Sequence, residues 1–328
     1  MRAPARPILV YGDVSRSYDF GPAHPLTPRR FGPGIDLVRT TGTADFLAPG
    51  PASEAEIARL HSTRYIATVK RFSEDPAAWA EAGIGHGGDC PPFAGMHGAS
   101  AAVAGGSLAA MDLILSGQVE HAFHPGGGLH HAMASRASGF CIYNDVALAV
   151  ARARDAGHRV LYVDLDVHHG DGVQSLFWDD PQVLTFSIHE TGLALFPGTG
   201  FVEERGGPGA EGTKVNVPLL PYSGDASWVP AVESIVPTLA DAFRPTVLVT
   251  QHGCDSHALD PLAHLRMTTA AYWRADLLLD EIAHRHADGR WLATGGGGYD
   301  VYRVVPRAWS LVSLAQAHRE PAAETPRD

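Results

Sequence analysis

RVLYVDLDVHHGDG, residues 159–172, opens as an almost uninterrupted apolar run and closes as a string of acids and histidines. Arg159–Val167 has the composition of a strand covered on both faces, and the segment before it, Asn144–Gly157, puts Ala and Val on one helical face and Arg on the other. A helix running straight into a buried strand is the unit of a parallel α/β sheet. Val183–Ile188, Thr246–Thr250 and Trp291–Thr294 repeat the strand signal, and Ile8–Tyr11 adds a short one near the amino terminus. Polar or glycine-rich residues follow each run at once, on the carboxyl edge where open α/β sheets bind ligands. Ser53 and Glu56 form a capping box that opens a helix reaching about Phe72. Ala99–Leu115, rich in Ala and Gly and carrying Asp112, reads as a tightly packed buried helix rather than a membrane span. No hinge divides the 328 residues, which read as one domain, 1–317, and a polar tail, 318–328.

The balance of 25 Lys and Arg against 36 Asp and Glu, net −11, argues against nucleic acid or a membrane surface as partner. Cys90, Cys141 and Cys254 cannot build a disulfide framework, and the amino terminus has no export signal, so reduced thiols and a cytoplasmic location are expected. The 18 histidines stand out, because imidazole is the side chain most used for metals and proton transfer.

Asp164, Asp166 and His168 need a task, since an unpaired buried charge costs about 3–5 kcal/mol. Spaced i, i+2, i+4, they fall on one face of a strand. Asp166 and His168 make a two-ligand claw for a divalent metal, and Asp255, just past Thr246–Thr250, reaches the same edge as a candidate third ligand. Two carboxylates and one imidazole leave a tetrahedral position open for water, the pattern of a catalytic zinc; Fe²⁺ accepts the same set. The blander reading is a salt-bridged polar cluster, against which His169 and Asp171 weigh.

HPGGGLHHA (124–132) puts three glycines before His130 and His131. No Gly-Lys-Ser/Thr follows, so this is not a nucleotide loop. Asp164 and Asp171 are spare carboxylates that can each orient one imidazole and raise its basicity. GGGGY (295–299) ends in Tyr299, either an aromatic plug in a turn or a phenol that hydrogen-bonds a developing oxyanion. One metal, two proton-handling histidines and one oxyanion donor suit hydrolysis of an unreactive acyl bond such as an amide.

These motifs, with GFCIYNDV (139–146), LFPGTG (195–200) and VNVP (215–218), run in order along nearly the whole chain. In them the sequence resembles the zinc-dependent histone deacetylase family, in its bacterial class I-like branch of acetoin-utilisation proteins. The resemblance implies a single α/β domain with a central eight-stranded parallel sheet flanked by helices, related to arginase. By position, Asp166, His168 and Asp255 would bind zinc. His131 with Asp171 would be general base and then acid, His130 with Asp164 its electrostatic partner, and Tyr299 the carbonyl donor. Phe140, Phe196 and the Gly139 carbonyl would wall a narrow tube for an acyl-lysine stem. Asp89, in GGDCP, would hold the peptide backbone at the rim, although its neighbour Gly88 stands where eukaryotic members often have an aromatic. Arg30 would line an acetate-release channel, or else make a core ion pair. A potassium ion would sit at Asp164, Asp166, His168, Ser187 and Ile188. A second would use carbonyls of Phe177, Asp180 and Val183, where Thr213 replaces the usual tyrosine. His169 would adjoin the site and His189 lie near its rim.

The leading expectation is deacetylation of acetyl-lysine in a protein or peptide, with metabolic enzymes as targets. The alternative is a small-molecule amidohydrolase acting on acetylpolyamines or other acylated amines, which a closed, dimer-capped mouth would favour over an open rim. An arginase-like two-manganese site would need a second Asp-x-Asp pair, and Gly253–His257 offers a single acid. A scaffold that has lost catalysis would show a broken ligand set or lack Tyr299. Oligomeric state has no signal in the sequence.

Overall fold

The computed structural model describes residues 6–321. Strands β1 (Ile8–Val10), β2 (Asp45–Leu47), β3 (His121–His124), β4 (Val160–Asp164), β5 (Val183–Glu190), β6 (Lys214–Leu219), β7 (Val247–Gln251) and β8 (Trp291–Thr294) form one sheet in the order β2-β1-β3-β8-β7-β4-β5-β6. Every pairing is parallel. The architecture is thus a single α/β domain, the eight-stranded sheet sandwiched between helices. Alternation along β4 shows the two faces: Leu161 and Val163 join a core with Trp228, Leu279 and Trp309, whereas Val160 and Tyr162 join one with Met111, Val146 and Val150.

The helices are α1 (Phe31–Thr41), α2 (Glu54–Ile57), α3 (Thr63–Glu74), α4 (Met96–Leu115), α5 (Asp145–Asp155), α6 (Asp171–Leu176), α7 (Asp225–Phe243), α8 (Thr269–His286) and α9 (Val305–Gln316). α4 is the buried helix expected near Ala99–Leu115, packed against α3, α5 and β3. It is the one described helix long and apolar enough to cross a membrane, and most of it lies inside the fold. Small residues let it approach closely: a Cβ on Gly105 would meet the Gly50 carbonyl oxygen at 1.9 Å. α5 begins where expected, with Asn144 as N-cap accepting from Ala147 N at 2.9 Å.

Three local readings need correction. The helix from Ser53 does not reach Phe72 unbroken: α2 ends at Ile57 and Ser62 caps α3 anew, because the Ser62 amide leaves the helical ladder to donate to Ala134 O at 2.8 Å. β4 ends at Asp164, so Asp166 and His168 stand on the loop beyond it, with Leu165 and Val167 still buried between them. β5 runs two residues past Ile188, which makes His189 a strand residue rather than one near a rim; its imidazole is buried between Ser187 Oγ at 2.8 Å and Gly200 O at 2.9 Å. Cys90, Cys141 and Cys254 are free and buried. The expected tail starts at His318, but His318 and Arg319 still touch the domain, Arg319 Nη1 donating to Thr41 O at 2.9 Å; residues 322–328 lie outside the described chain.

Two buried histidines tie stability to pH. His61 bridges Met133 O and the Asn144 amide, each at 3.0 Å, and burial holds its pKa down at about 4. Burial likewise lowers His124 to about 3. The unfolded chain protonates them near about pH 6.5, so their contribution is whole above that pH and is lost as pH falls toward the folded values. Thermal melts should therefore show Tm dropping steadily from pH 7 to pH 4.5. His61→Gln, which keeps a donor and an acceptor but does not titrate, should flatten part of that slope.

Candidate active site

Four inner strands, β3, β8, β7 and β4, deliver the loops of the site from one row. His124 is in register with Thr294, Thr294 with Gln251, and Gln251 with Asp164. From these ends start the loops bearing His130 and His131, Tyr299, Asp255, and Asp166 with His168.

Asp166, His168 and Asp255 converge: His168 Nδ1 lies 3.0 Å from Asp166 Oδ1 and 3.1 Å from Asp255 Oδ2. Both carboxylates are buried, and backbone amides or an amide side chain steady them. Asp166 Oδ2 accepts from Gln251 Nε2 at 2.7 Å and Gly297 N at 2.8 Å; Asp255 Oδ1 accepts from Val167 N at 3.0 Å. The cradle is glycine-walled, since a Cβ on Gly253 would stand 1.9 Å from Asp166 Oδ2 and one on Gly297 2.0 Å from Asp255 Oδ2. Burial and the neighbouring charge of Asp166 push the Asp255 carboxyl up to about 6. Burial opposes a charge on His168, yet hydrogen bonds to Asp166 and Asp255 raise it to about 10. Two crowded acids around one imidazole are a donor set that fits a divalent cation.

Beside this claw the two histidines each hold a carboxylate. His130 Nδ1 meets Asp164 Oδ2 at 2.8 Å, and His131 Nδ1 meets Asp171 Oδ1 at 2.7 Å. Their Nε2 atoms face each other at 3.0 Å. The environments drive the pair apart. Burial works against protonation of His130, but Asp164, Asp166 and Asp171 overcome it and hold the imidazole up at about 9. Burial and the positive neighbour His130 hold His131 down at about 4. One imidazole is thus an acid and cation at neutral pH, its partner a free base.

Tyr299 lines the same slot as His130, His131, Asp166 and His168, and Phe140 packs on it edge to face at 6.1 Å. Burial keeps the phenol well above its ordinary pKa, so it remains a donor. The slot, also lined by Leu26, Leu129, Gly139 and Cys141, encloses about 20 Å³, room for one water-sized molecule. Phe196 stands edge-on to His131 at 5.0 Å and lines a larger neighbouring cavity of about 400 Å³ with Arg136, Trp178 and Glu204. Gly139 has φ +50, and a Cβ there would lie 2.4 Å from His131 Cδ2; its carbonyl accepts from Cys141 Sγ at 3.2 Å. Asp89 is exposed on the loop outside Phe140, its carbonyl 3.3 Å from His24 Nε2, and the His24 ring lies 4.5 Å from Phe140. Arg30 is buried and donates to Gly296 O at 2.6 Å, with its guanidinium over Phe31 and Trp309. Its partners are thus a carbonyl and two rings; among the described residues it makes no core ion pair.

Several positioning residues escaped sequence reasoning. Asn144, read only as the start of a helix, caps it and also donates through Nδ2 to His130 O at 3.2 Å and Ala132 O at 3.0 Å. Asp145 takes the amides of Gly128 at 3.1 Å and Leu129 at 2.8 Å. Tyr162 gives its hydroxyl proton to Asp164 Oδ2 at 2.6 Å, and Gln251 braces Asp166. Asp260 holds the Tyr299 amide at 2.7 Å. Asn144 and Asp145 lie inside a quoted motif; Asp260 carries no local signal.

Residues 24–315 match the histone deacetylase domain. The chain belongs to the histone deacetylase family. Among its relatives, the acetoin utilization protein AcuC of Bacillus subtilis (strain 168) is 42% identical over 326 residues, covering 97% of this chain and 84% of the relative. The AcuC proteins of Staphylococcus xylosus and Staphylococcus aureus (strain COL) are 37% and 39% identical, over 95% and 93% of this chain and 83% and 80% of theirs. Family and relatives make this chain a deacetylase, hence a hydrolase.

The two alkali positions expected of a deacetylase in this family differ here. For the first, Asp164 is paired in register with Ser187, Ile188 follows, and the loop through Asp166 and His168 leaves from the same strand end. For the second, the carbonyls are already taken. Lys214, buried at the start of β6, places its Nζ 2.8 Å from Val183 O, 2.8 Å from Thr213 Oγ1, 3.3 Å from Thr213 O and 3.4 Å from Asp180 O. Burial lowers this ammonium to about 8, against the pull of Asp180 and Asp179, so it is cationic at neutral pH. A potassium ion does not fit where a side-chain cation donates to two of the same three carbonyls. Phe177 O accepts instead from Asp180 N at 3.0 Å. Lys214→Met, which keeps the stem and removes the charge, should cost about 1–3 kcal/mol of stability in urea denaturation, because buried carbonyls lose their donor.

Proposed function

We propose that this deacetylase hydrolyses the amide of N-ε-acetyl-lysine in protein or peptide substrates, releasing acetate and free lysine. The observation that carries the reading is the convergence of two oppositely poised His–Asp pairs on the Asp166, His168 and Asp255 claw, with Tyr299 in the same narrow slot. A thin slot walled by Leu26, Phe140 and glycine backbone suits an unbranched aliphatic stem. Asp89, exposed and linked through His24 to the Phe140 wall, is an acceptor for backbone amides of a bound peptide. That feature favours a peptide over a free acetylated amine.

Asp166, His168 and Asp255 would hold Zn²⁺, or Fe²⁺. When bound, the ion polarises the substrate carbonyl and acidifies the attacking water. His131 Nε2, unprotonated and oriented by Asp171, takes the proton of that water and passes it to the leaving lysine nitrogen. His130, held cationic by Asp164, steadies the negative charge that grows beside it. Tyr299 donates its hydroxyl proton in a hydrogen bond to the developing oxyanion, while Asp260 fixes the backbone of its loop. The Leu26, Phe140 and Leu129 walls keep bulk water from the slot. Potassium at the Asp164 and Ser187 end, a cytoplasmic setting and metabolic enzymes as targets complete the reading.

His131→Ala should lower kcat on an acetyl-lysine peptide at least about 100-fold while metal analysis still finds the bound ion. Tyr299→Phe should lose about 10²–10³-fold in kcat, as expected for removing one oxyanion donor; a variant as fast as the parent would refute the role. Specificity is tested by comparing acetyl-, propionyl- and longer acyl-lysine peptides with acetylated polyamines. Turnover of the polyamines alone would replace the protein substrate with a small-molecule one.

A further inference from the structure

On the opposite edge of the sheet from the slot, where β3 begins rather than ends, four more side chains converge. β3 contributes His121, α8 contributes Asp280 and His284 one turn apart on the same face, and His318 follows α9. Asp280 Oδ1 lies 3.6 Å from His121 Nε2, 3.6 Å from His284 Nε2 and 3.3 Å from His318 Nε2. His284 Nε2 and His318 Nε2 are 3.2 Å apart, and the four ligand atoms all lie within 4.8 Å of one another. A tetrahedral ion with nitrogen and oxygen ligands at about 2.0–2.2 Å sets those ligands roughly 3.3–3.6 Å from each other. The separations of 3.2–3.6 Å within the cluster have that size.

The His121 ring points to a ligand by itself. It is 3% exposed, and its Nδ1 meets the Gln316 carbonyl at 2.8 Å. A carbonyl only accepts, so Nδ1 carries the ring proton and Nε2 presents a bare lone pair. That Nε2 is buried without a hydrogen-bond partner and faces a carboxylate oxygen. Lone pair against lone pair repels unless a cation stands between them. A carbonyl fixing the far nitrogen of an imidazole is also the usual support of a metal-bound histidine. His284 Nε2 and His318 Nε2, 3.2 Å apart at the surface end of the cluster, complete the set of nitrogen donors around Asp280.

We propose that His121, Asp280, His284 and His318 form a second divalent-metal site, separate from the Asp166, His168 and Asp255 claw, that binds zinc through four protein ligands. With no position left open for water, such a site is structural rather than catalytic. It would pin the chain that follows α9 to α8 and to the start of β3. His318 has φ 52, a left-handed backbone uncommon outside glycine, and its Nε2 lies 3.2 Å from His284 Nε2 and 3.3 Å from Asp280 Oδ1.

The test is a metal count on the full chain, stripped with chelator, reloaded with equimolar-per-site zinc at micromolar concentration and freed of excess by gel filtration. The parent should retain about two zinc ions per chain, and His284→Ala/His318→Ala about one, with acetyl-lysine hydrolysis within about twofold of the parent. Because His284 and His318 are partly exposed, replacing them leaves the core intact. A second readout needs no activity: Co²⁺ added to His168→Ala should give the intense visible absorption of a tetrahedral site, lost when His318→Ala is added. One zinc per chain in both parent and double variant, or a second ion that binds only at millimolar zinc, would overturn the proposal.

Discussion

Asp166 and Asp255 are two carboxylates buried on either side of one imidazole, and the surrounding chain is arranged to tolerate them. Amides of Val167, His168 and Gly297 and the side chain of Gln251 all point at these oxygens. Residues 253 and 297 are glycine because a single methyl group at either would strike a carboxylate. The same negative field reaches His130 and reverses the effect of burial on it, whereas His131, beside that charged ring, goes the other way. The division of labour between two adjacent histidines thus follows from where two acids were buried. Sequence order alone does not distinguish their proton affinities.

Much of the fold was legible where the local pattern is strong. β7 and β8 are short apolar runs and were readable to within a residue, and β4 was readable at its start although its end lies three residues short of Val167. Elements that break a propensity rule were not readable from their own residues. β3 is His121-Ala-Phe-His124, a strand whose two histidines are buried by neighbours distant in sequence. α7 continues through Pro230 and Pro237, where helix rules expect a stop. β6 carries a lysine in its first position, and only the pairing of β6 with β5 shows that this charge finds carbonyls.

The candidate site divides in the same way. Asp164, Asp166, His168, His130, His131, Asp171, Asp255 and Tyr299 announce themselves as polar groups next to apolar runs or glycines, and the fold brings them together. Asp260, Tyr162 and Gln251 act through them and look like ordinary turn or strand residues. Lys214 is the instructive case: a motif match suggested an ion, and the residue beside the motif proved to be the cation. The histidines separate likewise. His130, His131 and His168 belong to the slot, His61, His124 and His189 are neutral parts of the core, and His121, His284 and His318 gather at the far edge.

The amino-acid sequence by itself determined the class of fold, the candidate ligands, the two histidine pairs and the family, because each rests on spacing within one segment or on motifs in order. Only the tertiary structure decided which strand ends stand side by side, which histidine is cationic, and which cation occupies the carbonyls of Val183 and Asp180. The physical reason is that electrostatic energies in a low-dielectric interior depend on separations of 3–4 Å between groups tens to hundreds of residues apart in the chain. Parallel strands joined by helical crossovers set those separations, and chain order does not.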